Sequence, residues 1–224
     1  MLWSPNCQLL YPFENQANDY SGNARHGTVF GSGVYATKPN GGRCLYFDGV
    51  GDYVATPSFG LSGTVVVFAA WTRCQAFAAD QHLIGEATAS PTIGFIGCYR
   101  EGGSAYLYWR YADGTGSRYG DCGVFFSVPF NDVWVHLMVG CDYAGKKLYT
   151  FREGKLFKTT TLSGTPVFPS TVRAKYVGSY SPTGYLLTAG YLKDVYIGTL
   201  ETCPPVAVLT ANANRLMLGM NPIW

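Results

Sequence analysis

The sequence predicts an all-β fold, a two-sheet antiparallel jelly-roll sandwich followed by a short C-terminal tail. Short runs of β-branched and aromatic residues alternate with clusters of Gly, Pro, Asn and Asp, which is the pattern of strands and turns. Glu and Lys, which favour helices, are scarce, while 28 of the 224 residues are Gly. Hydrophobic residues make up 47% of the chain, which provides a core and excludes a disordered protein.

Each predicted strand is a run of this kind. In order they are 9–13, 44–47, 53–55, 64–71, 82–85, 93–99, 105–111, 123–128, 134–141, 147–152, 156–161, 176–178 and 190–197. About a dozen strands exceed an immunoglobulin-type domain and suit a jelly roll. The runs 64–71 and 133–141 are apolar on both alternating faces, so we predict central strands that are either covered on both sides or form an aromatic-lined groove with one face. Glu153-Gly154 predicts a two-residue hairpin turn.

The chain shows no linker and no internal repeat, which indicates one domain over residues 1–205. Residues 206–224 form a tail with a predicted short helix at 207–218. The tail ends in Pro222, Ile223 and Trp224, and we predict that these residues dock onto this domain or onto a partner.

Composition excludes several classes of protein. The net charge of +2 gives no strong attraction to nucleic acid, and no apolar run reaches the roughly 20 residues that would span a membrane. The first residues lack the basic and apolar regions of a secretory signal. The seven cysteines show no CxxC spacing, so we expect free thiols in a protein that folds in a reducing cytosol.

The order of several short motifs resembles a known family. The motifs, in order, are Tyr11-Pro12-Phe13-Glu14, the loop from Asn18 to Thr28, residues 45–54, Trp134-Val135-His136, residues 153–156, Val177-Gly178-Ser179 and residues 190–197. It is similar to the laminin-G-like jelly rolls of the concanavalin A-like lectin and glucanase superfamily. The resemblance implies two antiparallel sheets. It leaves function open, because this fold serves sugar binders, glycosidases, adhesion modules and structural proteins.

We predict that the chain is not an enzyme. Glycosidases need two carboxylates across a cleft, and the glucanases of this superfamily carry them on one strand as Glu-x-Asp-x-x-Glu. None of the five Glu residues here has an Asp two positions later. His136 stands in an apolar run without a nearby carboxylate or nucleophile motif, which favours a buried structural histidine.

The resemblance also implies a structural Ca²⁺ ion in the N-terminal loop. The matching residues are Asp19, Asn23 and His26, with Asp194 from the final long strand. Calcium prefers six to eight oxygen ligands, many of them carbonyls of a tight loop. The alternative is that Asp19 and Asn23 only cap turns.

An aromatic and basic cluster provides the candidate ligand site, formed by Tyr99, Arg100, Tyr106, Tyr108 and Arg110. Strand alternation places Tyr106, Tyr108 and Arg110 on one face and the core residues on the other. Tyrosine and arginine side chains suit sugar rings and hydroxyls. The alternative is that these tyrosines pack on a neighbouring sheet or on a partner subunit.

The expected setting is a bacteriophage virion, with this protein as a capsid decoration or tail-fibre component. With its Asn-Pro-aromatic tail, this chain resembles freestanding members of the family that are encoded in phage genomes. Phage virion proteins are made in the host cytoplasm and need no export signal. Its partners would be capsid or tail proteins and further copies of itself, with a glycan as ligand. The alternative is a carbohydrate-binding or adhesion module of a bacterial surface protein, located outside the cell.

Overall fold

The computed structural model describes residues 6–37, 42–74, 80–86, 97–100, 106–124, 133–182, 190–220, 222 and 223, which form a sandwich of two antiparallel sheets. The strands are β1 (Cys7–Tyr11), β2 (Thr28–Phe30), β3 (Tyr35–Thr37), β4 (Arg43–Phe47), β5 (Tyr53–Ala55), β6 (Val65–Cys74), β7 (Gln81–Gly85), β8 (Gly97–Arg100), β9 (Tyr106–Ala112), β10 (Ser117–Val124), β11 (Val135–Asp142), β12 (Lys147–Arg152), β13 (Lys155–Thr161), β14 (Tyr176–Val177) and β15 (Gly190–Leu200). The described helix is α1 (Val206–Met217).

Sheet I has the order β13-β12-β11-β6-β15-β4-β3, and β1 also pairs with β15. Sheet II has the order β10-β9-β8-β7-β14-β5-β2. The core lies between them and contains large side chains that are fully buried, among them Trp109, Phe68 and Phe47. The two-sheet antiparallel sandwich is therefore confirmed.

The central strand β11 shows how the sequence pattern becomes two covered faces. Val135, Leu137 and Val139 point into the core between the sheets. Met138 points to the opposite face of sheet I, where it belongs to a second buried cluster that includes residues of α1. Burial on both faces accounts for an apolar run without polar alternation, as predicted.

Helix α1 covers this second face of sheet I. Leu209, Asn212, Ala213 and Leu216 are its buried residues, at the spacing of one face of a helix. The helix follows Pro205, and the chain leaves it through Gly219 with φ of +68°. The structure thus confirms the predicted tail helix to within one residue at each end. It also shows that the tail supplies part of the buried apolar surface.

Most predicted strands appear with small shifts in their ends. The hairpin between β12 and β13 turns at Glu153 and Gly154, both with positive φ, as a type I′ turn requires. The short strands β2 and β3 were not predicted. The predicted residues 93–96, 105 and 125–128 lie outside the described residues.

The start of β10 corrects the predicted strand at 123–128. The strand begins at Ser117, within a glycine-rich segment that reads as a loop. Asp113 explains the difference, because its carboxylate accepts hydrogen bonds from the backbone N–H groups of Thr115 and Gly116 at 2.9 Å each. This bonding closes a tight turn, so β10 pairs with β9 from Ser117 onward.

Candidate functional site

The outer face of sheet II carries the predicted aromatic cluster. On β9, Leu107 and Trp109 point into the core, while Tyr106, Tyr108 and Arg110 point outward, as predicted. Tyr99 on β8 lies directly opposite Tyr108 and shares its face. The structure therefore brings four of the five predicted ligand residues together.

Arg100 does not join them. It lies opposite Leu107, and cross-strand partners share a face, so its side chain is on the interior side of the sheet. Arg100 is 3% exposed, and burial lowers the pKa of its guanidinium. The physical reason is strand alternation, because β8 and β9 pair in regular register here and neighbouring residues of a regular strand point to opposite faces.

The outward rings form a row that we call the aromatic ladder, which consists of His82, Tyr99, Tyr108 and Tyr106. The His82 and Tyr99 ring centroids are 4.9 Å apart at an angle of 14°. Tyr99 and Tyr108 are 5.6 Å apart at 28°, and Tyr108 and Tyr106 are 6.1 Å apart at 26°. These are offset-stacked pairs, so neighbouring rings in the ladder face one another.

A hollow opens at the His82 end of the aromatic ladder, and we call it the Arg110 pocket. Its volume is about 210 Å³, and it is lined by Asp80, His82, Tyr99, Arg110, Tyr119 and Tyr180. The Arg110 guanidinium carbon lies 4.8 Å from the Tyr180 ring centroid and 5.9 Å from that of Tyr119. Arg110 also donates a hydrogen bond from Nη2 to Ser117 Oγ at 3.1 Å. These contacts hold the cation in a defined position.

His82 lies in the pocket as a neutral imidazole. Burial lowers its pKa to about 3, and the positive charge of Arg110 acts in the same direction. A neutral imidazole has one donor and one acceptor nitrogen. The pocket therefore combines a cation, a carboxylate, a neutral imidazole and tyrosine hydroxyls.

Tyr180 reaches the pocket from the loop after β14. Its backbone crosses directly over β7 at Gly85, where a Cβ atom would overlap the Cα of Tyr180. A buried ion pair links β7 and β14, the two strands below this loop. Glu86 Oε2, directly after β7, lies 3.0 Å from Lys175 Nζ, directly before β14. Burial raises the pKa of Glu86 and lowers that of Lys175, and each charge opposes the shift in the other.

Sequence reasoning missed Asp80, His82 and Tyr180 as parts of the site. His82 comes to the face next to an irregularity in the pairing of β7 with β8, between His82 and Ile84. This irregularity lets Leu83 and Ile84 both enter the core. An isolated histidine before two apolar residues carries no pattern that indicates a shared pocket.

The predicted calcium residues of the N-terminal loop lie together and are held by the protein itself. Asp19 Oδ1 accepts from the N–H groups of Leu10 and Ser21, at 3.0 and 2.9 Å. Asp19 Oδ2 accepts from Ser21 Oγ at 2.8 Å and from the N–H of Arg25 at 2.9 Å. These bonds are what the turn-capping alternative expects.

Asn23 and His26 also bond within this loop. Asn23 Nδ2 donates to the Cys7 carbonyl at 2.9 Å, and His26 Nδ1 accepts from the N–H of Asp19 at 3.1 Å. Within the residues that the structure describes, no group of three or more His, Cys, Asp or Glu side chains could hold a metal ion. The calcium site stays a prediction.

Asp194 lies in a different environment. It occupies a bulge of β15 with φ of +51°. There it lines a second hollow of about 210 Å³, together with Leu10, Pro12, Tyr20, Tyr196, Leu216 and Gly219. Tyr20 follows Asp19 directly, so this hollow adjoins the N-terminal loop.

The C-terminal segment folds back along α1. The N–H of Ile223 donates to Asn212 Oδ1 at 2.6 Å, and Pro222 is buried. Ile223 is 62% exposed. Trp224 lies outside the described residues. Pro222 therefore packs within this chain, and docking of Ile223 and Trp224 onto a partner stays a prediction.

Carboxylates are sparse around the Arg110 pocket. Asp80 is the one acidic side chain among the described residues that line it.

His136, as predicted, is buried, and its backbone N–H donates to Glu153 Oε1 at 2.6 Å. The described part of the chain contains no helix with the length and apolarity to cross a bilayer.

No protein-family model and no curated protein sequence matches this chain. Solved structures do match it. The receptor-binding domain of botulinum neurotoxin D has a TM-score of 0.71 at 11% identity, over 96% of this chain and 52% of that one. The chain thus spans about half the length of the neurotoxin domains that it matches.

Two further matches are structures with bound sugars. Domain 4 of an extracellular GH43 arabinanase from Geobacillus stearothermophilus, in complex with arabinotriose, has a TM-score of 0.71 at 15% identity, over 95% of this chain and 98% of that one. A botulinum neurotoxin D ligand-binding domain in complex with N-acetylneuraminic acid has a TM-score of 0.67 at 11% identity, over 96% and 51%. At these identities the likeness shows the β-sandwich fold alone.

Proposed function

We propose that this chain is a non-catalytic glycan-binding module whose ligand site is the Arg110 pocket. The arrangement of the pocket carries the proposal, because a carboxylate, a guanidinium and tyrosines converge on one hollow of the sheet. Sugar sites combine aromatic surface with a few placed polar groups in this way. The similar structures with arabinotriose and N-acetylneuraminic acid support it, since those domains use the same fold.

A glycan array with the purified protein tests this proposal. Tyr119→Ala is the informative variant, because Tyr119 lines the pocket and is 52% exposed. We expect about tenfold weaker binding, which corresponds to the ~1.4 kcal/mol scale of one aromatic contact. Tyr20→Ala removes a similarly exposed tyrosine at the N-terminal loop and is expected to bind like the parent protein. Absence of binding by the parent protein, or equal loss in both variants, would contradict the proposal.

The absence of catalysis has its own test. Hydrolysis of a glycosidic bond uses two carboxylates about 5–9.5 Å apart. With Asp80 as the lining acid, we expect no new reducing ends when the protein is incubated with any glycan that it binds. Release of reducing ends that Asp80→Asn abolishes would overturn this part of the proposal.

For the biological setting, we propose a bacteriophage virion, with the protein as a decoration or tail-fibre component bound to capsid or tail proteins. All seven cysteines are free thiols, and six of them are buried, which suits folding in a reducing cytosol. Mass spectrometry of purified particles tests this setting, and absence of the protein from them would overturn it. Detection in a bacterial surface fraction would instead support the adhesion-module alternative.

We also propose a structural Ca²⁺ ion at the N-terminal loop, with Asp19, Asn23, His26 and Asp194 as the candidate ligands. The support is the density of oxygen-bearing groups in this loop, where Ser21 Oγ lies 2.8 Å from Asp19 Oδ2 and 3.0 Å from the side-chain amide nitrogen of Asn23. An ion that binds only the folded state raises the unfolding midpoint. A midpoint that is the same in EDTA and in Ca²⁺ would exclude this site.

A further inference from the structure

We infer that the Arg110 pocket takes a single, uncharged, terminal sugar residue, rather than an internal stretch of polysaccharide or an acidic sugar. This inference rests on the proposed glycan-binding function and specifies its ligand. Three observations carry it, which are the size of the pocket, the orientation of the surrounding rings and the balance of charge among the lining residues.

The pocket is small. Its volume of about 210 Å³ is below the roughly 300–1,000 Å³ of sites that hold drug-sized ligands. One sugar ring fills a space of this size, and a second ring would lie outside it. Tyr180 and Arg110 stand against each other on one side, with 4.8 Å between the guanidinium carbon and the ring centroid, and they limit the hollow there.

Among the described residues that line the pocket, one tyrosine offers an open ring face. A site for an extended chain would present several open aromatic faces along a groove. In the aromatic ladder, however, neighbouring rings turn their faces to one another, at centroid distances from 4.9 to 6.1 Å. The Tyr119 ring does not belong to this stacked row, because its plane lies at 63° to that of Tyr99, and Tyr119 is 52% exposed. Among the described pocket residues, Tyr119 therefore has the ring that one sugar can stack on.

Among the described residues that line the pocket, the formal charges cancel. Arg110 supplies one positive charge and Asp80 one negative charge, while His82 is neutral because its pKa is lowered to about 3. An acidic sugar gains from Arg110 but is repelled by Asp80, so its carboxylate adds no net attraction. A neutral sugar can donate hydroxyl hydrogens to Asp80 and accept from Arg110, so both groups are used.

Saturation-transfer NMR and titration with small glycosides test the inference. The probes are methyl glycosides of neutral hexoses and of arabinose, compared with N-acetylneuraminic acid and glucuronic acid. A ligand of about a dozen non-hydrogen atoms binds with a dissociation constant near 1 mM. We expect the preferred neutral glycoside to reach this affinity, and the acidic sugars to bind at least tenfold more weakly. Lengthening the neutral glycan by further units should change affinity less than threefold.

Asp80→Asn is the deciding variant. It removes the charge that repels acidic sugars and should narrow their tenfold disadvantage to less than threefold. Asp121→Asn is the matched control, because Asp121 lies on the neighbouring strand β10 opposite Tyr108 and outside the pocket lining. Tighter binding of an acidic sugar, or affinity that rises with each added sugar unit, would overturn this inference while leaving glycan binding intact. Absence of binding to every glycan would instead overturn the proposed function.

Discussion

Replacing Leu209 by Ala tests whether helix α1 belongs to the cooperative fold of the sandwich. Leu209 is fully buried, and it lies in the cluster that joins α1 to the outer face of sheet I through Val67 and Met138. If the helix is integral to the fold, truncation of this side chain destabilises the whole protein. If the helix is a detachable tail, the sandwich unfolds as before.

The size of the effect follows from the buried volume. Leu→Ala removes about three methylene equivalents, each worth ~0.8 kcal/mol on burial. A residual cavity between helix and sheet adds to this, so we expect a loss of about 3 kcal/mol, within the ~2–5 kcal/mol range of buried Leu→Ala changes. For a protein of this size, ~2–4 °C per kcal/mol corresponds to a Tm about 6–12 °C lower.

Urea denaturation followed by far-UV and near-UV circular dichroism measures this loss. Leu218→Ala provides the control, because Leu218 is 68% exposed and should change stability by less than ~0.5 kcal/mol. We expect both signals to shift together in Leu209→Ala. A variant within ~0.5 kcal/mol of the parent protein, or a separate early far-UV transition with the near-UV transition unchanged, would refute the reasoning.

Two further predictions concern buried ionisable groups. Because the His82 pKa of about 3 lies below its ordinary value near 6.5, the unfolded chain binds a proton that the folded chain does not. The contribution of His82 to the free energy of unfolding is then fully present above about pH 6.5 and decreases on acidification, by about 2 kcal/mol between pH 7 and pH 5. Urea titrations at the two pH values should show a smaller decrease in His82→Phe. Equal decreases in both proteins would contradict this prediction. Lys175→Met removes the nearer cation of buried Glu86 and leaves only Arg173, whose Nε lies 3.9 Å from Glu86 Oε1; this should cost about 3 kcal/mol by urea denaturation. The double variant with Glu86→Gln should recover most of that loss, and a single variant as stable as the parent would disprove the importance of the pair.

The fold was largely predictable because its signals are local. Long strands such as β6 and β11 are apolar on both faces, and the turn at Glu153-Gly154 has at its second position the Gly that positive φ favours. Strands β2 and β3 escaped prediction because each has three residues with exposed positions, too few for a period-two pattern. The first residues of β10 were not predicted, because hydrogen bonds to the Asp113 carboxylate close the turn between β9 and β10. The number of glycines in this segment does not reveal these bonds.

The candidate site was predictable only where one strand carries it. Alternation along β9 placed Tyr108 and Arg110 on the outer face, and the same rule applied to Tyr99 and Arg100 would have separated those neighbours. His82 and Tyr180 enter through a strand irregularity and a loop that crosses Gly85. Such placements depend on tertiary packing, so a single sequence contains no local signal for them.

Helix α1 and the Arg110 pocket lie on opposite outer surfaces of the sandwich, the helix against sheet I and the pocket on sheet II. A partner that binds the protein through α1 or through Ile223 would therefore leave the Arg110 pocket facing away from that partner. The same geometry recommends C-terminal immobilisation for biosensor measurements, since the tether and the analyte then approach from different sides. Many copies fixed in this orientation would combine weak single contacts into avidity without any change in the pocket itself.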